Sequence, residues 1–229
     1  MLNIGKAPYL RCPRAASVLF VCILGLSVAA CGGQSGTSKP VSASPSSADA
    51  PVPLRKLNPK PTRAYEIRLV VEGAPGPFAS ARGVAQYDVQ NPQCGDINPV
   101  IGAIPPIRSN EVVQLRKVSD REYVGVVYAD RMMDEDYYGN GVCHWALTEA
   151  RVALRGMDAP ESSRFVSTMP AEMIQAGGEA KKYYWTGYYP RAERTEGFPD
   201  YGEADLSQIP EPRRGEFFTI SLTSRGLPA

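Results

Sequence analysis

The sequence predicts an all-β domain, an antiparallel β-sandwich or barrel-like fold of about eight strands with one short helical turn. Apolar and polar residues alternate along many short runs after residue 62, a pattern typical of half-buried strands. Turn residues, chiefly Gly, Pro, Asn and Asp, separate these runs at intervals of roughly 8 to 20 residues, as in sandwiches and barrels. No internal repeat is present, and the region is long enough to bury a core.

The first predicted strand spans Tyr65 to Val71, where apolar residues occupy every second position, and it ends at Gly73. Thr168 is predicted to cap a helical turn that Gly177 stops. A slip in the alternation predicts a bulge in strand 144–155, and a short polar connection predicts a hairpin between 112–118 and 122–129. The remaining predicted strands are 83–89, 164–168, 181–189 and 216–222.

The first 30 residues carry the features of a secretory signal. Three basic residues, Lys6, Arg11 and Arg14, precede the uncharged run 15–30. At about 1.5 Å per residue this run is about 24 Å long as a helix, short of the ~30 Å hydrocarbon core of a bilayer. We therefore predict that residues 1–30 are a signal peptide.

The end of this run, Val28-Ala29-Ala30-Cys31-Gly32, resembles the bacterial lipobox, in which the cysteine is acylated and becomes the new N-terminus. The resemblance makes Cys31 the predicted lipidation site and attaches the protein to the membrane through an N-terminal lipid. The residue after this cysteine is Gly32 and not Asp, which resembles the signal for transfer to the outer membrane. The predicted location is the periplasmic face of that membrane; an ordinary signal peptide, with Cys31 a bystander, is the alternative.

Composition divides the rest of the chain in two. Residues 31–62 are the lipidated cysteine and a tether rich in Ser, Pro and Ala, with little that could form a core, so we predict that this segment is disordered. Residues 63–229 form the single predicted β-rich periplasmic domain.

Five cysteines are present, and three of them, Cys12, Cys22 and Cys31, lie in or directly after the predicted signal. The other two, Cys94 and Cys143, would most simply pair with each other in an oxidising compartment. A metal site built on these two would need more ligands, and the chain has a single histidine. We predict a disulfide, no metal and no cofactor.

Charge argues against nucleic acid as a partner. The chain has 25 Lys+Arg and 24 Asp+Glu, and removal of residues 1–30 takes away three basic residues, which leaves 22 against 24. A net charge of −2 is no electrostatic footprint for nucleic acid or for anionic lipid headgroups.

Familiar catalytic motifs are absent from the sequence: it has no Gly-rich phosphate loop, zinc-protease helix or nucleophile elbow. A histidine-dependent triad would have to use His144, which we expect to be a surface or packed residue at the start of a strand. We predict no catalytic residue and no enzymatic activity.

The loop around residues 130–138 combines acidic, Met and Tyr side chains. Calcium binding, a paired-carboxylate glycosidase site and a plain solvated loop are all open interpretations. A fourth is protein binding, since Met and Tyr supply contact area and acidic residues select the partner. The candidate partner-binding residues on this loop are Arg131, Asp134, Glu135, Asp136, Tyr137 and Tyr138.

A second candidate surface is the aromatic run KKYYWTGYY at 181–189, which is followed by Arg191. Side chains of a strand alternate between its faces, so some of these rings must point outward. Aromatic platforms bind sugars or bases, and Tyr and Arg also dominate protein interfaces. We predict core contacts for one face and partner contacts for the other, with Tyr184, Tyr188 and Arg191 as the candidates.

Two stretches, YEIRLVVEGAPGPFASARGVAQYDVQNPQC at 65–94 and YADRMMDEDYYGNGVCHW at 128–145, resemble small envelope lipoproteins of Gram-negative bacteria. These lipoproteins are often encoded beside type VI secretion lipase effectors, particularly those of the phospholipase D type. The resemblance covers roughly residues 65–222.

The resemblance implies an immunity protein that neutralises a secreted phospholipase-type toxin in the periplasm by binding and occluding it. The rival hypothesis is a structural or assembly lipoprotein that binds an envelope component or a secretion machine. An enzyme that uses carboxylates alone is a third.

Overall fold

A computed structural model describes residues 55–228, which contain ten β-strands, one α-helix and four short 3₁₀ turns. The elements are β1 Ala64–Glu72, β2 Ser80–Val89, β3 Arg108–Val113, β4 Arg116–Ser119, β5 Glu122–Tyr128, β6 Trp145–Arg155, β7 Arg164–Pro170, α1 Ala171–Ala176, β8 Glu179–Trp185, β9 Pro199–Asp200 and β10 Phe217–Gly226.

The strands form two five-stranded sheets, which confirms the predicted all-β sandwich and shows no closed barrel among the described residues. Sheet 1 has the order β4-β5-β1-β10-β8, and sheet 2 has the order β3-β2-β6-β7-β9. Every pairing is antiparallel except the short contact between β7 and β9. The core lies between the sheets.

Strand β1 follows its predicted alternation. Ile67, Leu69 and Val71 are buried, while the residues between them face outward. The strand pairs with β10 on one side and β5 on the other, so it lies at the centre of sheet 1. Burying every second residue on a shared face produces the continuous apolar layer that holds the sandwich together.

An aromatic cluster fills one end of the core. Phe165 is fully buried and makes edge-to-face contacts with Phe78, Tyr184 and Phe218 at centroid distances of 5.1 to 5.9 Å. Tyr189 packs against Phe165 at 6.3 Å and against Phe78 at 5.6 Å. Aromatic pairs in these geometries add stability beyond their burial from water.

The bulge predicted in the strand beginning near His144 is confirmed. Gln86 of β2 pairs with Glu149 of β6, but the next residue, Tyr87, pairs with Leu147. Thr148 is therefore the extra residue, and its hydroxyl group lies 2.8 Å from the Asp88 carboxylate and 3.1 Å from the Gln86 carbonyl oxygen. The insertion reverses the alternation midway along β6, as the sequence pattern implied.

The run 112–118, predicted as one strand, is in fact two strands in different sheets. β3 ends in sheet 2 and β4 begins in sheet 1, and only β4 forms the predicted hairpin with β5. Gly83 and Gly125 make room for the crossing. A Cβ on Gly83 would lie 2.8 Å from the Val113 carbonyl oxygen, and one on Gly125 would lie 2.8 Å from a Leu115 methyl group.

The helical turn is present, but its predicted cap is wrong. Helix α1 begins after Pro170, and Thr168 lies inside β7, paired with Arg151. Gly177 does stop the helix, in a left-handed conformation at φ 70°, with its N–H donated to the Ile174 carbonyl. The predicted strand 181–189 is also shorter than expected, since β8 ends at Trp185.

The folded domain includes residues that precede its predicted start at residue 63. Residues 55–62, which we expected to belong to the disordered tether, make specific contacts: Asn58 N donates to the Arg131 carbonyl at 2.7 Å, and Leu57 forms a β-bridge with Met132. The signal peptide, Cys31 and the tether up to residue 54 lie outside the described residues. No helix within residues 55–228 is long and apolar enough to cross a bilayer.

Candidate partner-binding surfaces

Three segments, 55–58, 90–107 and 131–145, meet at one end of the sandwich, here called the disulfide end. The predicted bond between Cys94 and Cys143 is confirmed, with the two Cα atoms 5.3 Å apart. Both cysteines are buried with Ile107, and four partly buried side chains pack around them: Val89, Tyr137, Tyr138 and Trp145. The disulfide thus joins two long loops through a small apolar cluster of their own.

Segment 55–58 packs against the two loops at this end. Met133 N donates to the Lys56 carbonyl at 3.0 Å, and the Lys56 ammonium group pairs with Glu135 at 2.5 Å. The hydrogen bond and charge of Glu135 raise the pKa of Lys56 above its usual range. The Arg55 guanidinium group lies 5.6 Å from the centre of the Trp145 ring, which is a cation–π contact. Any tether to a membrane would therefore enter the domain here.

Asp130 anchors the first strand to this end. Its carboxylate accepts hydrogen bonds from Thr62 N at 2.9 Å, Arg63 N at 3.0 Å and the Thr62 hydroxyl group at 3.1 Å. Burial alone would raise the pKa of Asp130, but these donors outweigh it and lower the pKa below its ordinary value. Asp130, the first acidic residue of the loop 130–138, therefore has a structural role, because it binds the backbone N–H groups that precede β1.

The other acidic residues of the loop also have partners. Asp134 accepts from Trp145 N at 2.9 Å and bonds His144 Nδ1 at 2.9 Å, and Asp136 accepts from Gly139 N at 2.7 Å. Asp134 and Asp136 remain exposed. Their carboxylates therefore shape the loop and still present negative charge to solvent.

His144 lies on the surface, as predicted. In the hydrogen-bond pattern of residues 55–228 its ring contacts Asp134 alone and no hydroxyl or thiol nucleophile. The same residues contain no group of three or more His, Cys, Asp or Glu side chains arranged to hold a metal ion.

Tyr137 and Tyr138, proposed as contact residues, are half-buried in the disulfide cluster. The Tyr137 hydroxyl group donates to the Met133 carbonyl at 2.7 Å, and its ring packs edge-on against Trp145 at 6.5 Å. Truncating either ring would therefore disturb the loop as well as any interface. Arg131 is half-buried beside them, and its guanidinium group donates to the Asn58 carbonyl at 3.4 Å.

A turn in the loop 95–107 exposes three apolar side chains that the sequence-based predictions did not single out. Val100 is 90% exposed, Ile97 66% and Ile101 63%. The Asn98 side chain accepts from Val100 N at 2.9 Å, and Gly102 adopts φ 64° to close the turn. The signal was present in the sequence, because INPVIGAI places β-branched apolar residues in a loop that otherwise reads as Pro- and Gly-rich.

The same loop is fastened to the acidic one. Asn140 donates from its side-chain amide to the Gly95 carbonyl at 3.2 Å and to the Asp96 carboxylate at 3.1 Å. Together with the disulfide, these bonds hold the apolar turn and the acidic loop as one surface.

The aromatic surface differs from its prediction at one central residue. Tyr184 is fully buried, packs on Phe218 at 5.4 Å and donates its hydroxyl hydrogen to the Val166 carbonyl at 2.8 Å. Its assignment as a partner contact is therefore wrong. Burial raises the pKa of Tyr184 far above its ordinary value. The outward aromatic residues of β8 are Tyr183 and Trp185.

Tyr188 and Arg191 remain candidates on this side. Tyr188 is half-buried between Trp185, at 4.9 Å, and Phe198, at 4.7 Å, and Arg191 is exposed. Trp185 is already engaged, since it donates to Glu216 at 2.9 Å and lies under the Arg213 guanidinium group at 5.7 Å.

Comparison of the chain with protein-family models, curated proteins and solved structures finds no match.

Proposed function

We propose that this chain is a lipid-anchored periplasmic binding protein whose disulfide end docks a protein partner, and specifically an immunity protein that occludes a secreted phospholipase-type toxin. The observation that carries the proposal is the exposed apolar turn formed by Ile97, Val100 and Ile101, which Asn140 joins to the acidic loop through Gly95 and Asp96. Contiguous exposed apolar residues rimmed by polar ones mark protein interaction sites.

Rigidity supports a binding role for this turn. The disulfide and the Asn140 bonds restrain the start of its loop, which reduces the conformational entropy lost when a partner is bound. A phospholipase must accommodate acyl chains in an apolar groove, and a protruding turn of Val and Ile has the chemistry to fill one. Asp134 and Asp136, exposed on the loop that Asn140 fastens to this turn, would steer a basic rim of the partner towards the site.

Localisation rests on the N-terminal sequence. If Cys31 carries lipid, the Cys31→Ala protein should move from the membrane fraction to the soluble periplasm or accumulate as an uncleaved precursor. Recovery of a correctly cleaved variant in the membrane would refute the anchor. The measurement is fractionation followed by mass determination of the N-terminus.

The binding role is tested by co-expression with the product of a neighbouring toxin gene. Val100→Asp and Ile101→Asp should each weaken the complex by about 2 kcal/mol, about 30-fold, chiefly by faster dissociation, because each places a charge in an apolar contact. Val118→Asp is the matched control: Val118 is also exposed, but it lies near the β4–β5 turn, at the far end of β5.

Charge is tested separately. Asp134→Asn and Asp136→Asn keep the hydrogen-bonding shape of the loop and should slow association, with a loss that shrinks as salt is added. If none of the four substitutions changes the association or dissociation rate of the complex, the disulfide end is excluded as the interface. Failure of every neighbouring effector to bind would refute the immunity role and favour an envelope component as the partner.

A further inference from the structure

The outer faces of the two sheets differ in charge balance. On sheet 1 the outward cations of β1, β8 and β10 form ion pairs, namely Arg68 with Glu122, Lys181 with Glu72 and Arg225 with Glu66. On sheet 2 the central strands β2, β6 and β7 present four arginines to solvent: Arg82, Arg151, Arg155 and Arg164.

Strand register brings these four arginines together. Arg155 of β6 is directly opposite Arg164 of β7. Arg82 of β2 is opposite Ala153, so it lies diagonal to both Arg151 and Arg155. Like charges in opposite and diagonal positions of a sheet repel each other, so the unliganded protein bears a cost that an anion would relieve.

Two of the guanidinium groups are held in place. Arg151 pairs with Glu149 at 2.8 Å and donates to the Gln86 side chain at 3.0 Å, while Arg155 donates to the Ala159 carbonyl at 3.0 Å. Arg82 and Arg164 are exposed, and neither side chain makes an ion pair or hydrogen bond within residues 55–228. The group thus combines two oriented cations with two uncompensated ones.

The four arginines border a hollow of about 440 Å³ on the sheet face, here called the arginine hollow. Val84, Ala153 and Val166 supply its apolar surface, and Tyr201, which is well exposed, lies at its edge. Arg82 is near the start of β2 and Arg155 at the end of β6, whereas the disulfide end follows the opposite end of β2. The hollow is therefore a separate site.

We propose that the arginine hollow binds the phosphate group of a small organic phosphate. Guanidinium groups match phosphate oxygens with paired, charge-assisted hydrogen bonds. The apolar patch would contact the carbon skeleton of the ligand. A concave site of this size suits a compact group better than the flat acidic surface of a protein. The proposal does not depend on the immunity role.

Calorimetry on the full-length protein, in phosphate-free buffer at low salt, tests the proposal. The probes are inorganic phosphate, glycerol 3-phosphate and, as the uncharged control, glycerol. Glycerol 3-phosphate should bind and glycerol should not. Arg82→Ser and Arg164→Ser should each weaken binding by about tenfold, because each removes a charge-assisted hydrogen bond. Arg116→Ser, at an exposed unpaired arginine of β4, should leave binding unchanged.

A second arm distinguishes a soluble phosphate from a lipid headgroup. Co-sedimentation compares vesicles of phosphatidylcholine with vesicles containing phosphatidylglycerol, using the wild-type protein and the Arg82→Ser variant. Extra binding to phosphatidylglycerol that the substitution abolishes identifies the headgroup as the source of the phosphate. Three results would overturn the proposal: no binding in either arm, binding that is unchanged by substitution of Arg82 and Arg164, or binding of a polyglutamate peptide alone. The last result would assign the face to an acidic protein.

Discussion

Removing the disulfide between Cys94 and Cys143 should lower the free energy of unfolding by about 4 kcal/mol. The bridge joins positions 49 residues apart. Closing a loop of that length removes about 14 cal/mol/K from the entropy of the unfolded chain, which is about 4 kcal/mol at 25 °C. Alanine is the suitable replacement at both positions, because serine would bury a hydroxyl group in the apolar cluster around Ile107.

The double variant should still fold. Neither cysteine belongs to a strand of the two sheets, and the ladders that define the sandwich are made without them. A domain of this size has a total stability of about 5–15 kcal/mol, so a loss of about 4 kcal/mol leaves a folded majority at 25 °C. The turn carrying Val100 should lose its fixed position, because the bridge is one of the few ties on its loop.

Urea unfolding followed by tryptophan fluorescence provides the measurement. With a slope of about 2 kcal/mol/M, the midpoint should fall by about 2 M. Wild-type protein treated with a reductant is the control and should show the same shift. A midpoint change below about 0.3 M would refute the loop-entropy argument. Trp145 packs against the disulfide cluster and Trp185 lies on β8, so single-tryptophan variants separate local from global loss.

Three further substitutions test the core, the cap and the sheet crossing. Phe165→Ala should cost about 3–5 kcal/mol in a denaturant titration, since the ring is fully buried among four aromatic neighbours; a cost below about 1 kcal/mol would contradict this packing. Asp130→Asn should lower the free energy of unfolding by about 1 kcal/mol at pH 7. Because folding lowers the pKa of Asp130, the carboxylate stabilises the folded state above the unfolded pKa of 3.8, and this stabilisation is lost as the pH falls from 3.8 through the lower folded pKa. The unfolding free energies of the two proteins should therefore converge in acid, and a constant difference would be the contrary result. Gly125→Val should lower the free energy of unfolding by at least about 2 kcal/mol, because the new side chain would collide with Val113 and Leu115. Thermal unfolding of the variant and the wild type measures the difference, and equal midpoints would contradict the crowding.

Several features follow from local sequence pattern. Alternation along β1 determines which residues face the core, since a strand with one buried face tolerates apolar side chains on that face alone. The slip in alternation along β6 located the bulge, and Gly177 located the end of α1, because each is a local response of the backbone. The pairing of Cys94 with Cys143 followed from counting cysteines.

Tertiary structure alone decided which face of β8 is buried. Tyr183, Tyr184 and Trp185 are all aromatic, so the sequence offers no contrast between the two faces. Pairing with β10 sets the register that turns Tyr184 towards Phe218 and the core. A residue that looked like a contact residue is therefore part of the packing.

The split of the run 112–118 between two sheets was likewise invisible in the sequence. The run is continuously β-prone, and the room for its crossing comes from Gly83 and Gly125, which belong to other strands. The arginine hollow has the same origin, since the long-range pairing of β2 with β6 brings Arg82 beside Arg155 and Arg164. Side-chain alternation is a local property that a sequence displays directly, whereas register and sheet order arise from long-range pairing and packing.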